Sequence, residues 1–299
     1  MAARPLPQWP KNYLQMSIAK YIFMAACLFV VASCDSRQAA DKPILAVSIE
    51  PQRQILEKIA GPDFEVTTLL GRGADPETFD PSTAQRLAVD EADIYFSTGV
   101  LPFESKIQES IAKESEFVDT SKGMTLLYGT HGHAHVDSAS APDPHYWSSV
   151  IGATAIARNM AEALKKRYPE RAVDINLRLD DFYMEMAELN RRIADKLEKA
   201  KNPVFAVWHP SLSYFARDYG LEQLSLGEEG KELSAKDMAE AIDHAKADKV
   251  TVFFFQPGID SRQAEVLNES IGSRLVSINP LDYNWQGQLL SIADEIARP

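Results

Sequence analysis

Three positions carry side chains that could hold a cation. Glu77 lies in Asp75-Pro76-Glu77-Thr78-Phe79-Asp80-Pro81, where prolines on either side stiffen the backbone around a carboxylate. His145 lies in Asp143-Pro144-His145-Tyr146-Trp147, between a proline and two aromatic rings that would position the imidazole and shield it from water. His209 lies in Trp208-His209-Pro210, directly behind an apolar run that reads as a strand. Taken singly, each has an ordinary alternative. Glu77 reads equally as a solvated loop acid, His145 as a histidine packed at a helix start, and His209 as a loop or helix-capping residue. Taken together they form an imidazole and carboxylate set that suits zinc, manganese or iron(II), with neutral imidazole favouring zinc. The two cysteines, Cys27 and Cys34, both lie in the N-terminal stretch, so thiolates are not on offer to a metal in the body of the chain. A histidine ligand must be neutral, so affinity is expected to drop as pH falls through about 6.5.

An alternation of apolar runs and amphipathic stretches supplies the frame. It predicts strands over 44–49, 64–70, 94–98 and 117–118, with helices over 52–60 and 82–91, in a first lobe. It resumes after Asn202-Pro203 with strands over 204–208, 221–226, 250–255 and 274–278. Helices over 213–219, 235–246, 261–270 and 285–297 follow these in turn. Between the halves, helices over 149–168 and 170–201 are separated at Pro169. The second places Phe182, Met186, Leu189, Ile193 and Leu197 at three-to-four-residue spacing and would run about 45 Å. The expected fold class is α/β: two pseudo-symmetric lobes with parallel sheets, joined by one long rigid helix. The expected divisions are a first lobe over 43–148, a helical linker over 149–201 and a second lobe over 202–299. Open parallel sheets bind ligands outside the carboxyl ends of their strands, where His209 falls.

The first 33 residues read as a secretory signal. Lys11 and Lys20 precede an apolar run over 21–32, too short to span a bilayer comfortably, and Met16 offers an alternative start. The run ends in Val31-Ala32-Ser33-Cys34, which resembles a bacterial lipobox. That resemblance implies acylation of Cys34, an anchor on the periplasmic side of a membrane and a tether over 34–42. Asp35 hints at inner-membrane retention. The stretch 129–144 has no apolar period and reads as a mobile surface loop. It holds His131, His133 and His135, half of the chain's six histidines, which could collect ions weakly or be incidental. A net charge of −12 without a basic cluster argues against nucleic acid as a partner.

At these motifs the chain resembles the zinc/manganese substrate-binding proteins of bacterial ABC importers. The resemblance runs over essentially the whole mature chain. Besides the three motifs it rests on Tyr214-Phe215-Ala216-Arg217-Asp218-Tyr219-Gly220-Leu221 and Gly230-Lys231-Glu232. It implies a monomeric metal receptor without catalysis, served by a permease and its ATPase. It also implies a fourth ligand, for which Asp282 in Asn279-Pro280-Leu281-Asp282-Tyr283 is the nearest match. The family usually places histidine where this chain has Glu77, and that oxygen-rich change leans toward manganese or iron(II). The histidine-rich loop, common in zinc-specific members, leans toward zinc. A zinc hydrolase is disfavoured by the lack of a His-Glu-x-x-His helix, a nucleophile elbow or a separate general base. A metal-dependent adhesin is neither supported nor opposed by these residues.

Overall fold

The computed structural model describes residues 42–71, 73–110, 115–128, 141–227, 232–258 and 262–298. The signal segment, Cys34 and the histidines at 131, 133 and 135 lie outside them.

In the first lobe, β1 (Ile44–Val47), β2 (Glu65–Thr68), β3 (Ile94–Ser97) and β4 (Glu116–Asp119) form a parallel sheet in the order β2-β1-β3-β4. In the second, β5 (Val204–Val207), β6 (Glu222–Ser225), β7 (Val252–Phe255) and β8 (Arg274–Ser277) repeat the pattern as β6-β5-β7-β8. The central strands are buried on both faces, as helix-covered parallel strands must be: Leu45, Ala46 and Val47 in β1, and all four residues of β3, are inaccessible. In both sheets the strand order reverses between the two central strands, which opens a crevice at their carboxyl ends. Val47 pairs with Phe96 and Val207 with Phe254, so by register His209 corresponds to Ile49 and Gln256 to Thr98.

The helices are α1 (Glu50–Ala60), α2 (Thr83–Asp90), α3 (Pro102–Ser110), α4 (Val150–Arg167), α5 (Ala172–Leu197), α6 (Ser213–Tyr219), α7 (Ala235–Ala247), α8 (Gln263–Ile271) and α9 (Trp285–Ala297). The long helix expected over 170–201 is α5. It starts later because Pro169–Arg171 forms a 3-10 turn, and its 26 residues give a length of about 39 Å. One stripe of α5, from Ile175 through Phe182 and Leu189 to Leu197, is buried against α1, α4 and α9. One continuous apolar core therefore runs from Leu45 and Phe96 of the first lobe through Phe182 to Phe205, Phe254 and Trp285. The Trp285 indole donates to Gln54 Oε1 at 2.9 Å, tying α9 to α1. A smaller cluster around Trp208, Phe253 and Leu267 lies within the second lobe. Among the described residues, no helix is long and apolar enough to cross a membrane.

Candidate metal centre

Glu77, His145 and His209 meet. One ligand atom from each lies within 4.8 Å of the other two. The Nε2 atoms of His145 and His209 are 3.1 Å apart, and Glu77 Oε1 lies 3.8 Å from the first and 3.6 Å from the second. A tetrahedral ion with bonds of about 2.0–2.1 Å needs its ligand atoms about 3.3 Å apart. The three separations straddle that value, so one ion fits between them with small adjustments.

Each ligand is held by its own local structure. Asp75 accepts the Glu77 backbone N–H at 2.9 Å and the Thr78 hydroxyl at 2.7 Å, a side-chain turn that presents Glu77 between the prolines. His145 opens the 3-10 turn His145–Ser148, which leads into α4. There Ser149 caps the helix by accepting the Gly152 N–H at 3.1 Å. A side chain at Gly152 would collide with the Tyr146 carbonyl, so this approach of helix to turn requires glycine. His209 lies just beyond β5, whose ladder continues through a Trp208 N–H bond to the Phe254 carbonyl at 2.9 Å.

The imidazoles are also prepared for a cation. Asp143 Oδ1 accepts the His145 backbone N–H at 2.9 Å and lies 2.9 Å from Nδ1 of the same residue. Holding the proton on Nδ1 leaves the Nε2 lone pair facing the other ligands. Tyr214 secures this element in turn, donating to the Asp143 carbonyl at 2.8 Å while accepting the Leu127 N–H at 3.0 Å. Burial pushes the pKa of His209 down from 6.5 to about 4, and the neighbouring His145 adds to the shift. The carboxylates of Glu77, Asp75 and Asp143 oppose it less strongly. His209 is therefore neutral, and a competent ligand, at neutral pH.

His145 and His209 border a cavity of about 10 Å³, also lined by Asp75, Trp147, Gln256 and Leu281, with room for about one water-sized group. Asp282 stands apart from the three among the described residues. Its Oδ1 accepts the Asn284 N–H at 2.7 Å near the start of α9, and it lines a neighbouring cavity of about 560 Å³ with Glu50.

Three features escaped sequence reasoning. Asp143 was visible only as part of a motif, without its role as the partner of His145. Gln256 sits at the carboxyl end of β7, and that strand-end position was the signal that could have found it. The third is Glu104 on α3, 3% exposed, which accepts the N–H groups of Thr98 at 2.6 Å and Gly99 at 2.8 Å. It also accepts the Thr98 hydroxyl at 2.9 Å and that of Ser48. Burial raises its pKa, while these hydrogen bonds pull the other way. The two crevices thus differ: the first lobe fills its own with the Glu104 carboxylate, whereas the second turns His209 and Gln256 toward the cavity.

The chain is similar to known proteins along most of its length. The zinc-binding lipoprotein AdcA of Streptococcus pneumoniae is 24% identical over 266 residues, covering 85% of this chain but 53% of AdcA. The chain thus spans about half the length of that relative. The high-affinity zinc uptake system protein ZnuA of Bacillus subtilis is 24% identical over 280 residues, 87% of either chain. A crystal structure of ZnuA superposes with a TM-score of 0.79 at 31% identity, covering 86% of this chain and 98% of that one. The model of the periplasmic component A of the zinc-uptake complex matches residues 45–296. With nearly all of both lobes inside that match, the chain belongs to the ZnuA family, a family of transport components rather than enzymes.

Proposed function

We propose that the chain captures one divalent transition-metal ion outside the cytoplasm, zinc in preference to manganese or iron(II), and passes it to an ABC permease with its ATPase. The observation that carries this reading is the buried His145–His209–Glu77 triangle, whose edges suit a tetrahedral ion. Zinc accepts that geometry without strain, and the zinc-related names of the relatives support the same choice. Glu77 supplies an oxygen where the family resemblance implies histidine, so some manganese or iron(II) binding is expected. Asp282, whose Oδ1 accepts the Asn284 N–H, would become a fourth ligand only by moving toward the other three.

The remaining parts of the proposal concern residues outside those described. A signal segment over 1–33, a lipid on Cys34 and a tether over 34–42 would hold a monomeric receptor at the periplasmic face of the membrane. This raises its effective concentration near the permease. His131, His133 and His135 would bind ions weakly. The lobes over 43–148 and 202–299 would be joined through 149–201.

Competition titration of the mature chain against a chromophoric chelator tests the central claim. Sub-micromolar zinc binding at a stoichiometry of one tight site is expected, and no binding of any divalent metal at that affinity would sink it. Removing residues 131–135 should abolish only the weak sites.

A further inference from the structure

Away from the metal triangle, we infer that the groove between α4, α5 and α6 binds one amphipathic monocarboxylate, whose head is taken by Arg158 and Tyr183. The groove has a volume of about 800 Å³, within the range of about 300–1,000 Å³ typical of small-molecule sites. Val150, Ala155 and Met186 are buried in its wall, while Ile151, which also lines it, stays 56% exposed. An exposed isoleucine beside buried apolar neighbours is surface that an apolar chain would cover. Met124, from the turn after β4, lines the same space.

Two polar groups of this groove are left open. The Arg158 guanidinium meets no carboxylate among the described residues; its hydrogen bond goes to the Lys122 carbonyl, at 3.4 Å. Tyr183, half-buried on α5, makes no hydrogen bond through its hydroxyl among the described residues. Burial raises the Tyr183 pKa and the Arg158 charge opposes the rise, so the two groups lie within electrostatic reach of each other. Both are donors, and one carboxylate can accept from both. Arg217 offers a contrast. It donates to Asp218 at 2.7 and 2.9 Å, and Asp218 also accepts the Ser149 hydroxyl. With Arg158 unmatched, the groove is net positive in a chain whose net charge is −12. An anionic head is therefore favoured over a cationic one. The size suits a small molecule rather than a protein, whose stable interfaces bury about 1,200–2,000 Å².

The test titrates dodecanoate into the full mature chain by calorimetry, with dodecyltrimethylammonium and acetate as comparisons. It needs no metal, so it stands or falls apart from the receptor reading. Dodecanoate should bind with a stoichiometry of one, and both comparisons at least tenfold more weakly. Arg158→Gln should weaken dodecanoate at least tenfold, as loss of a charged hydrogen bond does, and Tyr183→Phe about fivefold. Absence of saturable dodecanoate binding overturns the inference. Equal binding of the cationic amphiphile or of acetate, or unchanged dodecanoate affinity in Arg158→Gln, does so too. Tighter binding of dodecyl phosphate would assign the groove to a phospholipid head and overturn the choice of a carboxylate. Should Arg158→Gln not fold, the comparison of ligands on the wild type decides alone.

Discussion

The ring nitrogens of His145 and His209 approach to 3.1 Å although 64 positions separate the residues in sequence. Two histidines brought this close, with Glu77 beside both, make a candidate metal site to which both lobes and the turn ahead of α4 contribute.

His145→Ala and His209→Ala should each weaken zinc binding at least a hundredfold. Four-ligand zinc sites in peptides hold roughly 10–16 kcal/mol in total, so losing one ligand removes about a quarter of it. Chelator competition reads the effect, with circular dichroism confirming the fold. Loss below tenfold would show that the residue is not a ligand.

Asp143→Asn keeps an acceptor near His145 but removes the charge that fixes its tautomer. Zinc affinity should fall about tenfold, the low end for a histidine's outer-shell partner. Calorimetric titration checks it, and unchanged affinity would reduce Asp143 to a turn former.

The apo protein should lose stability as pH falls from about 6.5, with the contribution of His209 gone by about pH 4. The sign follows from proton counts. Within this window the unfolded histidine takes up a proton that the buried one refuses, so acid favours unfolding. Urea midpoints of wild type and His209→Gln at several pH values isolate the contribution, and the variant should show the flatter slope. The same shift moves proton competition at this ligand below the pH of about 6.5 expected of an ordinary histidine, so zinc binding should survive to lower pH.

Glu104→Gln should cost about 3 kcal/mol of folding stability, because an amide nitrogen would face donors that a carboxylate accepts. Denaturant unfolding measures this. Zinc affinity should stay within twofold, which separates a carboxylate that sets the shape of the first lobe from one that serves the ion.

The candidate ligands were legible because their chemistry is local. Proline-flanked Glu77, aromatic-flanked His145 and strand-end His209 each announce themselves within a few residues. The α/β alternation and the stripe along α5 were equally readable, since apolar periodicity follows directly from burial. Other features depend on contacts distant in sequence. The Tyr214 bond to Asp143 joins residues 71 apart, so nothing near Tyr214 in the sequence announces its polar task. Helix α3 was overlooked because nine residues with one proline and two glutamates show little apolar rhythm. Its available cue was Pro102 at the first helical position with Glu104 two places later, a weak terminus signal without a serine or threonine cap.

The apolar core that runs unbroken through α5 has a consequence for survival. Lobes sharing one interior cannot readily melt separately, so an ion bound in the cleft protects residues far from it. At a thousandfold excess of free metal over Kd, such linkage adds about 4 kcal/mol to the whole chain. Empty molecules would be digested well before loaded ones, and metal supply would thereby set how many receptors persist.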